Sequence, residues 1–271
     1  MVRKALSVLL ASLIVILAVG MGAGVSTAAP SAPDTPDAPD AELGHLLVIS
    51  TRDSSEYAPA IAYNWKHNEY LVVWQNNWDG GYSDVYAQRV NGNGKLLNWF
   101  DVGTGTHSEV NPAVAYDPVY DRYLVVWSYD YWDNGSDWDI NGRLIPWNGP
   151  SASFADFPIC NWTSQQRTPA VAYGRVQQEF MVAWTNASTG QPTTIGARRV
   201  ATNGSYPIGS VITVTVGTDN RDYPDVAYNF NRNEYLFTWD VQRPGTTFDI
   251  FGARFSAMGV PLTGGSPSAV G

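Results

Sequence analysis

The stretch PAIAYNWKHNEYLVVW, residues 59–74, decides how this 271-residue chain is read. It returns with the same internal spacing from Pro112, Pro169 and Pro224. A Tyr follows each Pro by four residues: Tyr63, Tyr116, Tyr173 and Tyr228. A second aromatic residue follows by eleven (Tyr70, Tyr123, Phe180, Tyr235) and a Trp by fifteen (Trp74, Trp127, Trp184, Trp239). Fixed internal spacing at a period of about 55 residues marks a repeat architecture.

Within one copy, Ala60 to Tyr63 reads as a short strand opening at a Pro, whose missing N–H costs least at a strand start. Residues 64–68 are a turn. Tyr70 to Trp74 is apolar at successive positions, as a strand covered on both faces must be. After a polar loop, Asp84 to Val90 alternates with period two, and Asp139 to Leu144, Ile195 to Val200 and Asp249 to Phe255 repeat it. Asn93-Gly94, Asn148-Gly149, Asn203-Gly204 and Met258-Gly259 close these segments with turn chemistry. A weaker fourth strand follows at Asn98 to Val102, Phe154 to Ile159 and Val211 to Val216. No helical periodicity is visible beyond the N-terminal segment. Four short antiparallel strands per repeat describe the blade of a β-propeller. One blade buries too little apolar surface to offset its ordering entropy, so the blades must stack.

The spacing predicts an all-β chain of four four-stranded blades. His45 to Ser50 stands upstream of Pro59 as the fourth strands stand upstream of Pro112 and Pro224. The expectation is that this stretch pairs with the last blade, near Asp249 to Phe255, closes the ring and covers an open edge. The alternative is an arc of a larger propeller.

The motifs Pro-x-Val-Ala-Tyr, Tyr-Leu-Val-Val-Trp and Asp-Ile-x-Gly-x-Arg resemble a repeat of secreted bacterial β-propeller proteins, over roughly Leu46 to Leu262. Thr193 departs from the pattern's Asp, and the second copy is one residue short before Arg143. The resemblance implies the fold and carries no catalytic motif.

The N-terminus has a basic start (Arg3, Lys4), an apolar run from Ala5 to Val19 and small residues to Ala29, the order of a secretory signal peptide. Residues 30–42, rich in Pro and Asp, read as a linker, which leaves 43–271 for the propeller. The formal charge of -9 and the absence of a basic stripe exclude duplex binding. With Cys160 alone, no internal disulfide can form. No stable membrane span is expected once the signal is removed.

Residues present in every copy are expected to be structural. Arg89, Arg143, Arg198 and Arg254 are read as partners of blade carboxylates such as Asp84, Asp139 and Asp249; Glu69, Glu179 and Glu234 are read as solvated turn residues. The sialidase Asp-box and the Gly-x-Ser-x-Gly elbow are absent, and His45, His67 and His107 lack metal-ligand spacing. Departures from the repeat carry the functional signal. Trp78 and Tyr82 lie in the long loop of the first copy, and Tyr131, Trp132 and Trp138 in the matching loop of the second. Aromatic faces beside Asp and Asn suit sugar rings, so these five are the candidate ligand-binding residues. Asp130, Asp133, Asn134, Asp137 and Asp139 crowd the second loop; Ca²⁺ is the one cofactor weighed, and an ordinary solvated acidic loop is preferred over it.

The first expectation is therefore a secreted, non-enzymatic binding module for a glycan or surface polymer. A propeller glycan hydrolase is the alternative, and an adhesive platform a third. Two carboxylates facing each other in the central channel would favour the hydrolase.

Overall fold

The computed structural model describes residues 46–263, apart from 53, 79–80, 152, 204–206 and 243–246. The expected signal peptide and linker lie outside the described residues. The chain divides into two units, residues 1–51 and 52–271, and all strands belong to the second. Among the described residues there is no helix, and hence none long and apolar enough to cross a membrane.

Among the described residues fifteen strands form four antiparallel sheets. Blade one is β1 (Ser55–Asn64), β2 (Glu69–Asn77), β3 (Ser83–Asn91) and β4 (Leu96–Gly103). Blade two is β5 (Glu109–Asp117), β6 (Arg122–Asp130), β7 (Trp138–Pro146) and β8 (Phe157–Cys160). Blade three is β9 (Gln165–Gly174), β10 (Glu179–Ala187), β11 (Thr194–Ala201) and β12 (Ile208–Thr213). Blade four is β13 (Asn220–Asn229), β14 (Glu234–Gln242) and β15 (Phe248–Ser256). Each sheet runs in sequence order, and the first strands of successive blades pack side by side, β1 on β5, β5 on β9 and β9 on β13. This is a β-propeller.

The core lies between blades. Each blade has a leading face, packed on the blade before it, and a trailing face, packed on the blade after it. Leu71, Val73, Val85 and Ala87 on the trailing face of blade one meet Tyr123, Val125, Trp127 and Ile145 of blade two. Leu124, Val126, Ile140 and Leu144 meet Phe180, Val182, Trp184 and Val200 in the same way. Met181, Ala183, Ile195 and Ala197 then meet Tyr235, Phe237, Trp239 and Phe255. Alternate residues of one strand thus serve two different joints, which is why Tyr-Leu-Val-Val-Trp is apolar throughout.

Three expectations are corrected. The repeated Pro does not open its strand: β1 begins four residues before Pro59, and Pro59, Pro112, Pro169 and Pro224 all sit inside bulges where the ladder shifts register. A bulge frees the Pro position from the ladder. The residue before each Pro takes the left-handed region (Ala58 φ 49°, Asn111 53°, Thr168 51°, Tyr223 52°).

The arginines fall into two sets. Arg89, Arg199 and Arg254 lie opposite Leu71, Met181 and Leu236, and their guanidinium groups bond Glu69, Glu179 and Glu234 at 2.6–2.7 Å. These glutamates, read as solvated, are therefore the arginines' partners. Arg143 and Arg198 lie one residue earlier and donate from Nη1 to Val102 O and Ile159 O of the preceding blade, both at 2.9 Å. Blade two has Arg122 and Leu144 where the other blades have the Glu–Arg pair.

Residues 46–52 form no strand, and among the described residues the last sheet contains β13, β14 and β15 alone. The closing strand expected from the N-terminus does not form. The chain itself turns back at Gly259 (φ 81°) along the edge of β15: Ser256 N donates to Val260 O at 2.8 Å and Leu262 N to Arg254 O at 2.9 Å.

Candidate functional site

Three segments meet at the rim of blades one and two: the start of β3 at Ser83, the loop 104–108 after β4 and the loop 131–137 after β6. The middle one ties the others together. Ser108 O accepts from Asp130 N at 2.9 Å, Ser108 N donates to Asp133 Oδ1 at 3.0 Å, and Ser108 Oγ accepts from Ser83 N at 3.5 Å. His107 Nδ1 lies 2.7 Å from Asp133 Oδ2, and its ring stacks on Tyr131 with 6.2 Å between centroids.

Of the predicted aromatic residues, Tyr131 and Trp132 form an edge-to-face pair at 4.8 Å, both exposed. Trp78 is half exposed and donates from Nε1 to Asp84 Oδ2 at 2.8 Å. Tyr82 is exposed, and Trp138, the first residue of β7, is half-buried. The structure pairs the rings of Tyr131 and Trp132; no hydrogen bond or ring contact joins Trp138 to the other four. The acidic loop turns its oxygens inward. Asp130 Oδ2 accepts from Gly135 N at 2.7 Å, and Asn134 Oδ1 from Ser136 N at 2.9 Å. Among the described residues no group of three or more His, Cys, Asp or Glu is set to hold a metal ion.

Of two carboxyls beneath these loops, Asp84 is read from sequence as an arginine partner and Glu109 escapes that reading. Asp84, on β3, also accepts from Tyr86 OH at 3.3 Å; burial pushes its acidity down, and the Trp78 and Tyr86 bonds oppose that. Glu109 opens β5 and is 3% exposed. Its Oε2 has no hydrogen-bond partner. Burial pushes its carboxyl up to about 8, and the negative charges of Asp84, Asp156 and Asp133 add to that. Gly103 and Gly105 make room for it: a Cβ on Gly103 would stand 3.3 Å from Glu109 Cδ and 3.1 Å from the Trp127 ring, and one on Gly105 would stand 3.4 Å from Glu109 Oε1. A buried carboxyl without a cation, protonated at neutral pH, is an outlier that active sites commonly contain. Its sequence signal is slight. The ladder aligns Glu109 with Glu56, Gln166 and Arg221, three residues before each Pro and outside the stretch read as a strand.

The axial pocket is different. It encloses about 260 Å³ between Pro59, Pro112, Pro169, Pro224 and the residue before each. No carboxylate lines it. The two facing carboxylates expected of a channel-centred hydrolase are not there.

No family model and no curated protein matches the sequence. Solved structures match in fold. The GH93 α-L-arabinofuranosidase of Fusarium graminearum, solved with arabinobiose, superposes with a TM-score of 0.56 at 12% identity, over 76% of this chain and 64% of that one. A thermostable family-43 glycoside hydrolase gives 0.54 at 12% identity over 79% and 76%, and a Hadza microbial sialidase 0.53 at 10% over 77% and 46%. At such identities the likeness shows the fold. These propellers are glycan-cleaving enzymes by name, so the fold neighbours go against the first expectation, a non-enzymatic binding module.

Proposed function

We propose that this chain is a glycan hydrolase of propeller architecture, with its reacting groups at the rim of blades one and two. The observation that carries the reading is the pair Asp84 and Glu109. One carboxyl is held uncharged up to about pH 8 by burial. The other receives hydrogen bonds from an indole N–H and a phenol. Two carboxyls whose surroundings differ in this way can divide the work of glycoside cleavage. Glu109 would donate a proton to the leaving oxygen. Asp84 would stabilise positive charge at the anomeric carbon or activate water.

A carboxyl as covered as Glu109 reaches a substrate only when the segment at Gly103 to Gly105 moves aside, and two of its three residues have no side chain to displace. Trp78, Tyr82, Tyr131, Trp132 and Trp138 would offer ring faces to the sugars. Glycosidic substrates are supported by the names of the fold neighbours, which act on arabinofuranosides and sialosides. An extracytoplasmic location is supported by the order of basic, apolar and small residues before Pro30, and glycans at a cell surface would be the partner.

The test is hydrolysis of aryl α-L-arabinofuranosides, arabinan and sialosides by wild type, Glu109→Gln and Asp84→Asn. The expected result is turnover of one class by wild type and a loss of about 10²–10⁴-fold in each variant. Turnover that both variants retain, or none on any glycoside offered, sinks the reading.

A further inference from the structure

Among the described residues, the first and last blades each leave exposed part of the face that every inner joint covers. On the trailing face of blade four, Leu236 is 45% exposed, whereas Leu71, Leu124 and Met181 at the same position of the other blades are fully buried. Ile250 is 72% exposed, whereas Val85, Ile140 and Ile195 are fully buried. Phe248, two residues before Ile250 on β15, is exposed beside it. On the leading face of blade one, Tyr63 is 45% exposed against 8% for Tyr116. Ile61 and Trp99 are exposed with it, whereas Trp74 and Tyr86 between them are buried, with the Arg52 guanidinium laid over the Tyr86 and Trp99 rings. No packing like that of β1 on β5 joins β13 back to β1.

Exposed apolar residues scattered singly need no explanation, but groups of them sharing one face mark interaction sites. These two are the halves of one joint. Three times within the chain, a trailing face with Leu or Met and a β-branched residue packs on a leading face with Tyr and Trp. The free trailing face ends blade four, and the free leading face begins blade one.

We infer that two copies of this chain associate head to tail, the trailing face of blade four in one copy packing on the leading face of blade one in the other. The occupant is a second copy because each copy carries both halves, already shaped by the repeat, and the contact continues a joint made three times over. Such a contact is heterologous. It closes into a ring when both joints form and runs on as a filament when the rotation does not close.

The experiment measures mass by light scattering on the purified chain from 1 to 100 µM, with circular dichroism as a check on folding. The expected result is a mass of two or more chains. Ile250→Asp, on the trailing face, and Ile61→Asp, on the leading face, should each yield monomer or a single residual species of lower mass. Because both residues are solvent-exposed in one copy, neither change should unfold it. Mixing two singly altered chains is the decisive arm. A pair made of Ile250→Asp and Ile61→Asp keeps one intact joint and should form a heterodimer, while either alone does not. A wild-type monomer at every concentration overturns the inference. So does an oligomer that neither substitution weakens, or a mixture that stays monomeric.

Discussion

The joint between blades one and two and the joint between blades two and three are built alike, yet differ at one buried position. The first holds Glu109 and the second Gln166, each three residues before its Pro. Gln166 is satisfied. Its Oε1 accepts from Trp162 N at 3.2 Å, and its Nε2 donates to Trp162 O and to Ser164 Oγ. Glu109 has nearly the same shape but lacks a partner at Oε2, and it keeps its proton to about pH 8. Blade stacking therefore accepts a neutral side chain at this depth. A carboxyl held there, unpaired, has a cost in stability that packing alone does not repay.

The comparison can be broken most directly by making the first joint like the second. In Glu109→Gln, turnover should fall about 10²–10⁴-fold while the fold persists, as read by hydrolysis rate alongside circular dichroism. Equal turnover with unchanged stability would make Glu109 a packing residue only. The next effect concerns pH. The ordinary carboxyl value of 4.5 applies to the unfolded chain and about 8 to the folded one, so between these limits the folded chain binds the extra proton. Stability from this group is full below about pH 4.5 and declines as pH rises to 8, by up to roughly 5 kcal/mol. Denaturant melts at pH 5 and pH 8.5 should show the decline in wild type and a smaller one in Glu109→Gln.

Making the second joint like the first is the reverse test. Gln166→Glu places a carboxylate against the oxygens of Trp162 and Ser164, and should cost about 1–3 kcal/mol at pH 8, less at pH 5. The smallest effect is expected from Gly103→Ala, whose methyl must displace the Trp127 ring or the Glu109 carboxyl by a few tenths of an ångström, at about 1 kcal/mol. A drop in the Glu109 titration midpoint in that variant would show that the glycine keeps water out.

The architecture was legible because the residues that repeat are those that fill the joints. Pro, Tyr and Trp recur at fixed spacing, and Trp127 and Trp184 lie wholly buried where the spacing put them. What the sequence hid is set by pairing across strands. Arg89 meets Glu69 only because β2 and β3 run antiparallel in a register that puts Arg89 opposite Leu71, two residues into β2. Read along the chain, Asp84 looked like the nearer partner. Glu109 was missed because the strand was begun at the Pro, three residues too late. The expected closing strand failed for another reason. Leu46 to Ile49 has the side chains of a strand, but a strand exists only where a free ladder edge receives it, and the chain's own return at Val260 and Leu262 meets the edge of β15. The predicted aromatic rim was legible as composition. Its grouping was not, since His107 stacks on Tyr131 from a different loop.

The bulges around the axis have a consequence for how this molecule comes apart. Thr168, a β-branched residue, holds φ at 51°, where such residues rarely stay. Its N–H is received by Ser128 Oγ of the blade before it, as Asn111 N–H is received by Gln75 Oε1. At the bulge, where the ladder of its own sheet shifts, the backbone N–H of an inner strand is thus received by the neighbouring blade. Losing one blade should loosen the next one along, and melting should travel from the ends of the array inward, as in a one-dimensional cooperative chain.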